Sequence, residues 1–262
     1  MPAIAIIGGT GVYDPTLLDE VAEENVSTPY GSVKVDCGVY QGKTVAFLSR
    51  HGAGHSVPPH LVNYRANIAA LKKLGVRSIL ATAAVGSLNP LMKPGDFVFV
   101  DQFLDFTKGR RQTFFEGGPE GVVHVDLTEP YCSELRELLL RAARARGFSA
   151  YGGGVYVCTE GPRFETPAEI KMLQRLGGDL VGMTGVPEVV LAREAEMCYA
   201  SVAMVTNFAA GIAAYRLSHR EVVEMMRVQG ENIRQLFTQV INWIDENREC
   251  YCHRAVSGPV EA

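Results

Sequence analysis

The sequence lacks features that mark several classes of protein. It has no apolar run of about 18 residues, which a membrane-spanning helix would need. It has no surplus of basic residues, since 25 Lys and Arg stand against 29 Asp and Glu, and this argues against a nucleic-acid surface. No repeat or Pro/Gly/Ser linker divides the chain. We therefore expect one domain over residues 1–262, with neither membrane nor nucleic acid as a partner. The start, MPAIAIIGG, shows no basic leader, which predicts a cytoplasmic protein.

Cysteine is too sparse for the disulfide framework of a small secreted domain, with six residues in 262. Cys250 and Cys252 form a C-x-C pair followed by His253, but this pair supplies only half of a zinc site. A local or interchain disulfide is the alternative if the source is a hyperthermophile. We predict that the protein binds no metal and that most of its cysteines are reduced thiols in or near the core.

Short β-branched runs alternate with longer segments of helical period, which is typical of a mixed α/β sheet flanked by helices. The runs predict strands over residues 3–7, 33–39, 44–49, 78–84, 96–100, 154–157, 180–183 and 201–206. The periodic segments predict helices over residues 61–74, 133–146, 166–176, 186–195 and 218–247. A polar, Gly-rich stretch over residues 108–121 has no period. Loops of that length are usually functional, so we expect it near a site or an interface.

Three of the predicted strands are followed by residues that could bind an anion, either small residues or a positively charged arginine. The first strand runs into a GGTG turn at residues 8–11, whose backbone amides can approach an anion closely. Because the dinucleotide and Walker patterns are both absent, a plain tight turn explains it equally well. Arg50 and His51 follow the strand over residues 44–49, and arginine suits a bidentate grip on phosphate. An exposed polar loop is the alternative there, as close packing is for Ala83 and Ala84 at the end of another strand.

The most specific stretches are TEGPRFET at residues 159–166 and GMTGVPE at residues 182–188. With the GGTG turn, RHG at 50–52 and TNFAAG at 206–211, they resemble the trimeric purine nucleoside phosphorylase and methylthioadenosine phosphorylase family. The resemblance covers about residues 4–245 and leaves the tail over residues 249–262 outside it. It implies a single α/β domain with a mixed central β-sheet, assembled as a homotrimer or a dimer of trimers. It also implies phosphorolysis, in which phosphate attacks C1′ of a purine nucleoside, with phosphate as co-substrate and no cofactor.

The resemblance also implies roles for individual residues. Phosphate would be bound by Thr10, Arg50, His51, Ala83, Ala84 and Thr184. The nucleoside would contact Phe164, Glu165, Met183, Asn207, Phe208, Ala209, His219 and, from a neighbouring subunit, His124. Among the catalytic residues, which include His51, Asn207 would donate to purine N7 as the glycosidic bond breaks, and Glu165 would accept from N1–H. A turn asparagine and a first-turn helix carboxylate are the alternatives for these two.

Glu165 and Asn207 separate two branches of that family. The methylthioadenosine branch typically carries serine and aspartate at these positions, so the pair found here predicts a 6-oxopurine nucleoside phosphorylase that acts on inosine and guanosine in purine salvage. Methylthioinosine phosphorylase shares both residues and is the alternative. His219 favours a 5′-hydroxyl and His124 favours a 5′-methylthio group. A noncatalytic nucleoside-binding protein would not require both a phosphate site and a base site.

Overall fold

The computed structural model describes residues 1–8, 18–212 and 219–256, and over this part of the chain it is a mixed sheet flanked by five α-helices. The strands are β1 (Ile4–Gly8), β2 (Asp19–Thr28), β3 (Gly31–Tyr40), β4 (Lys43–Ser49), β5 (Ser78–Ser87), β6 (Phe97–Phe99), β7 (Gln102–Phe106), β8 (Ala150–Tyr151), β9 (Val155–Thr159), β10 (Leu180–Gly182) and β11 (Cys198–Phe208). The helices are α1 (Tyr64–Lys73), α2 (Ser133–Ala145), α3 (Pro167–Arg175), α4 (Gly185–Glu194) and α5 (His219–Trp243). The predicted fold class is confirmed.

The sheet brings several strand ends to one edge. Its order is β2-β3-β4-β1-β5-β10-β9-β7, and β11 pairs with both β5 and β6. Strands β4, β1, β5 and β11 run parallel, so their carboxyl ends lie on the same side. Strand β10 is antiparallel to β5 and pairs with its last residues, where Leu180 lies opposite Ser87. Parallel sheets usually build their sites at carboxyl ends, and the predicted motifs follow these strands.

Local chemistry explains where the helices begin and which faces they bury. The Asn63 side chain accepts a hydrogen bond from the Ala66 amide at the start of α1. At the start of α3, Thr166 and Glu169 form a reciprocal capping box. Helix α5 buries a stripe that includes Phe237 and Val240 against the core that it shares with α2. All five predicted helices are confirmed, with ends shifted by a few residues.

Three strands were not predicted. Strand β2 is mostly exposed and acidic, with Val26 its one fully buried residue, so it shows no apolar alternation. It forms through backbone pairing with β3, which side-chain pattern does not report. Strand β8 has two residues, and β7 follows β6 too closely to be separated by pattern. Within the described ranges, no helix is both long and apolar enough to cross a membrane.

Candidate active site

Most of the predicted site residues line one cavity of about 900 Å³. From the predicted phosphate group it contains Arg50, His51, Ala83, Ala84 and Thr184, and from the predicted nucleoside group Phe164, Glu165, Met183, Asn207 and Ala209. Helix α5 contributes further lining residues, among them Val222, Val223 and Met226. Segments more than 150 residues apart in the chain are therefore gathered at one edge of the sheet.

Arg50, which lines the cavity, is held by three hydrogen bonds. Its Nε and Nη2 donate to the two Glu188 carboxylate oxygens at 2.7 and 2.6 Å, and Nη1 donates to the Thr82 carbonyl at 2.8 Å. Burial is the largest single influence and would lower the pKa of Arg50, but the charge of Glu188 and the hydrogen bonds to it together hold the pKa above its ordinary value. One N–H on each terminal nitrogen has no partner among the described residues, so the fork can bind an anion.

Glu188 was quoted in a motif but given no role by the sequence analysis. It is fully buried in α4 and also accepts a hydrogen bond from the Tyr199 hydroxyl at 2.7 Å. A buried carboxylate is stable only when it is paired, and Arg50 supplies that pair. Glu188 is thus a positioning residue, and its burial was not readable from the sequence.

His51 lies beside Arg50 with one ring nitrogen already engaged. Its Nδ1 is 2.8 Å from the Val57 carbonyl, which can only accept, so Nδ1 carries the proton. Burial and the neighbouring Arg50 charge lower the pKa of His51 to about 4, which keeps the ring neutral near pH 7. Its Nε2 is therefore an acceptor, which suits a protonated phosphate oxygen. The family resemblance implies that His51 binds phosphate as an N–H donor, and the proton on Nδ1 makes it an acceptor at Nε2 instead.

The turn after β10 is shaped by a tyrosine that the sequence analysis did not single out. The Tyr156 hydroxyl accepts from the backbone amides of Thr184 and Gly185 at 3.2 and 3.3 Å. A side chain at Gly182 would collide with the same hydroxyl, so glycine is required there. Together these contacts set the position of Thr184 on the cavity wall.

Glu165 lies just before α3 and points to the cavity. The Thr159 hydroxyl donates to its Oε1 at 2.6 Å, and Oε2 has no donor among the described residues. Glu165 is half-buried and Phe164 beside it is 40% exposed. One carboxylate oxygen is therefore fixed by the protein and the other can accept from a ligand.

Asn207 owes its position to an irregularity in β11. The register between β11 and β5 shifts between Val205 and Asn207, which aims the Asn207 side chain into the cavity rather than along the regular alternation. Its Nδ2 donates to the Phe208 carbonyl at 2.8 Å, and the Thr206 hydroxyl lies 2.7 Å from its Oδ1. The amide is oriented on both sides and keeps a second N–H for a ligand.

The loop over residues 108–121 reaches the site through Arg110, as the prediction for this loop required. The Arg110 guanidinium donates to the carbonyls of Met183 and Val186 at 2.8 and 2.7 Å and to that of Glu160 at 2.9 Å. It ties the base-side segment to the turn after β10. The role of Arg110 was not predicted, because its carbonyl partners come from distant segments of the chain.

Two predicted residues do not line this cavity, and two others lie outside the described residues, one of them by its side chain alone. The Phe208 side chain does not line it, and its carbonyl instead orients Asn207. His124 is exposed and does not line this cavity. Thr10 lies outside the described residues, and so does the side chain of His219, whose backbone begins α5. The roles of the last two remain predictions.

The chain resembles known proteins over nearly its whole length. Residues 3–242 match the family described as Phosphorylase superfamily. The chain is 59% identical over 258 residues to a probable 6-oxopurine nucleoside phosphorylase of Moorella thermoacetica, covering 98% of this chain and 99% of that protein. It is 56% identical over 263 residues to the 6-oxopurine nucleoside phosphorylase of Pyrococcus furiosus, with 98% and 99% covered.

Two further relatives bear on the 5′ end and on the fold. A probable S-methyl-5′-thioinosine phosphorylase of Methanopyrus kandleri is 51% identical over 259 residues, covering 98% of this chain and 99% of that protein. The solved methylthioadenosine phosphorylase of Schistosoma mansoni, in complex with adenine, superposes with a TM-score of 0.88 at 37% identity. That alignment covers 94% of this chain and 93% of the other.

Proposed function

The chain belongs to the Phosphorylase superfamily, and from that premise we propose that it is a 6-oxopurine nucleoside phosphorylase that cleaves inosine and guanosine with inorganic phosphate. The observation that carries the proposal is that one cavity is lined both by the Arg50 fork and by Glu165 and Asn207. A nucleoside with phosphate beside it presents an anion at one end and the N1–H of a 6-oxopurine at the other. The enzyme would act in purine salvage.

The reaction needs no covalent intermediate on the protein. A phosphate oxygen forms a bond to C1′ while the bond from C1′ to N9 breaks, and the electron pair moves onto the purine. The products are ribose 1-phosphate and the free base, which takes up a proton. Arg50, the His51 lone pair and Thr184 would position phosphate, and this ordering removes much of the entropy barrier.

Asn207 is the group that would favour the transition state over the ground state. Negative charge develops on the purine ring as the glycosidic bond breaks, and an oriented N–H at N7 gains strength as that charge grows. The contacts to Phe208 and Thr206 fix the amide before substrate arrives. Glu165 would choose the base, because its second oxygen accepts from N1–H, which adenine lacks.

A substrate panel tests this proposal directly. Inosine, guanosine and adenosine are each assayed for base release with and without phosphate. We expect hypoxanthine to be released from inosine only when phosphate is present. Added metal ions should not replace phosphate or increase the rate. Adenosine should be used roughly 10²-fold less efficiently, because its N1 lone pair would face the Glu165 carboxylate. Base release that is independent of phosphate would contradict the proposal.

Methylthioinosine phosphorylase is the second candidate because α5 lines the cavity with apolar Val222, Val223 and Met226. A 5′-methylthio group is apolar, so packing against these side chains would stabilise its binding. Methylthioinosine is therefore included in the panel. A higher kcat/KM for methylthioinosine than for inosine would put this second candidate first.

We also propose that the chain assembles as a homotrimer or a dimer of trimers in the cytoplasm. Val122 is 69% exposed, His124 two residues later is also exposed, and both lie in a segment without regular secondary structure. Such a segment is suited to packing on a second copy, where His124 would approach the 5′ end of the neighbour's nucleoside. No nucleic acid, membrane or cofactor enters this scheme.

A further inference from the structure

Four cysteines that are far apart in the chain meet at the edge of the molecule formed by its C-terminal segment. Cys132 directly precedes α2, Cys198 is the first residue of β11, and Cys250 and Cys252 follow α5. Their sulfur atoms all lie within 4.8 Å of one another, and three of the four residues are buried. None of them lines the cavity described above. We propose that these four thiolates form a structural zinc site.

The sulfur geometry matches the proposal. Zinc binds four thiolates in a tetrahedron with zinc–sulfur distances of about 2.3 Å, so the edges of that tetrahedron are about 3.8 Å long. The sulfur atoms of Cys132 and Cys250 are 3.8 Å apart. A disulfide requires about 2.05 Å between the two sulfurs. One sulfur pair therefore has the spacing of a tetrathiolate site, and the other pairs all lie within 4.8 Å.

Zinc binding would release protons and leave a net negative centre. Four thiols and one Zn²⁺ give a zinc tetrathiolate of charge −2 and four protons. Arg248 lies beside this centre, with its Nη2 3.9 Å from the Cys132 sulfur. Arg77 lies behind it and donates to the carbonyls of Glu246 and Arg248 at 3.3 Å. Arg248, which also pairs with Glu134, thus places a positive charge in contact with one of the four sulfurs.

His253 donates a hydrogen bond to the sulfur of Cys198, which is therefore an acceptor. The Arg77 guanidinium has only donors, so its 2.9 Å contact makes His253 Nδ1 an acceptor and places the ring proton on Nε2. That Nε2 lies 3.4 Å from the Cys198 sulfur and donates to it. An N–H directed at a thiolate is the supporting shell expected around a metal site. His253 is therefore a positioning residue and not a ligand.

The site explains how the C-terminal segment is held. The sequence offered only Cys250 and Cys252, which are half of a zinc site, and the prediction of no metal rested on that shortage. The fold supplies the other half from residues 118 and 52 positions before Cys250. A metal at this point would clip the tail to the start of β11 and to the first turn of α2, at the end of β11 opposite Asn207.

The first test measures metal and thiols in the full-length protein, purified without chelator or reductant from zinc-supplied cells. We expect close to one zinc per chain by elemental analysis, and six titratable thiols after denaturation with a chelator. Absence of stoichiometric zinc would overturn the proposal. A shortfall of two or four thiols would also overturn it, because the cluster would then be disulfide-bonded. Iron in place of zinc would overturn the assignment of the metal.

Variants locate the metal. Cys198→Ser should lose stoichiometric zinc, whereas Cys37→Ser, at a buried cysteine of β3 outside the cluster, should retain it. His253→Ala keeps all four ligands and should bind zinc about 10–100-fold more weakly in a chelator competition. If Cys198→Ser does not fold, wild-type stoichiometry and the His253→Ala competition still decide. Zinc content, thiol number and chelator competition do not depend on catalysis. They therefore test the zinc site whether or not the proposed function is correct.

Discussion

Arg50 serves the ligand site and the fold at the same time, because its partner Glu188 is wholly buried. Arg50→Ala would leave that carboxylate unpaired, so we expect a loss of about 3–5 kcal/mol in the free energy of unfolding together with a raised KM for phosphate. Urea unfolding and phosphate kinetics measure the two effects. Wild-type stability in Arg50→Ala would contradict the structural half of this account.

A triple variant separates the two effects of Arg50. Arg50→Met/Glu188→Leu/Tyr199→Phe removes the guanidinium together with the carboxylate that it pairs with and the hydroxyl that donates to that carboxylate, so no buried charge is left alone. We expect most of the stability to return, because buried ion pairs can be replaced by apolar groups of similar volume. The KM for phosphate should stay at least about tenfold raised, as expected from the loss of a charge-assisted contact. Recovery of both properties would mean that Arg50 does not bind phosphate.

Glu165 can be tested by its effect on the choice of base. Glu165→Gln keeps an acceptor for Thr159 but presents an N–H where the carboxylate accepted from the purine. We expect kcat/KM for inosine to fall about 10²-fold and the ratio of adenosine to inosine to rise. Glu169→Gln is the matched control, because Glu169 caps α3 and pairs with Arg163 away from the cavity. An unchanged ratio in Glu165→Gln would remove Glu165 from base recognition.

His51 predicts a defined dependence of stability on pH. Its pKa is about 4 in the folded protein and about 6.5 when unfolded, so the unfolded chain gains a proton first as pH falls. Its contribution is therefore complete above pH 6.5 and is lost progressively down to pH 4. Between pH 7 and pH 5 the wild type should lose about 2 kcal/mol more than His51→Gln in urea unfolding. Equal losses in the two proteins would show that His51 titrates normally.

At the level of elements, the loop over residues 108–121 stabilises the site by way of Arg110. Lysine at this position keeps the charge but cannot reach the carbonyls of Glu160, Met183 and Val186 together. We expect Arg110→Lys to lower kcat/KM for inosine roughly 10- to 100-fold, as the loss of one or two such hydrogen bonds would do. Arg111→Lys, in the same loop and 73% exposed, is the control and should behave as wild type. Equal activity of the two variants would contradict a positioning role.

At the level of the whole molecule, the proposed assembly can be tested together with His124. Sedimentation should give a mass that is a multiple of three 28.5 kDa chains. His124→Ala should change the ratio of methylthioinosine to inosine use without changing the KM for phosphate, because its own cavity does not contain it. A monomeric enzyme with full activity, or a ratio unaffected by the substitution, would contradict a shared site.

Much of the fold and the site could be predicted because it is encoded locally. The spacing of apolar residues in the sequence located all five helices. Short motifs marked Arg50, Ala84 and Asn207, which lie at or near the ends of strands. Strand β2 could not be found in this way, since its backbone pairing leaves no apolar pattern in an exposed acidic segment. The bulge that aims Asn207 likewise depends on how β11 is paired with β5.

The sequence by itself determined the family, the helices, most of the strands and the residue types of the site, because these are encoded in short contiguous segments. Only the tertiary structure decided which groups are buried together. The tertiary structure pairs Glu188 with Arg50, and it fixes the His51 proton on Nδ1 through the contact with the Val57 carbonyl. It also places Arg110 among carbonyls from two distant segments. It also joined Cys132 and Cys198 to the C-terminal pair. The reason is physical: pairing, desolvation and metal-ligand geometry depend on distances in space, and separation along the chain does not determine them.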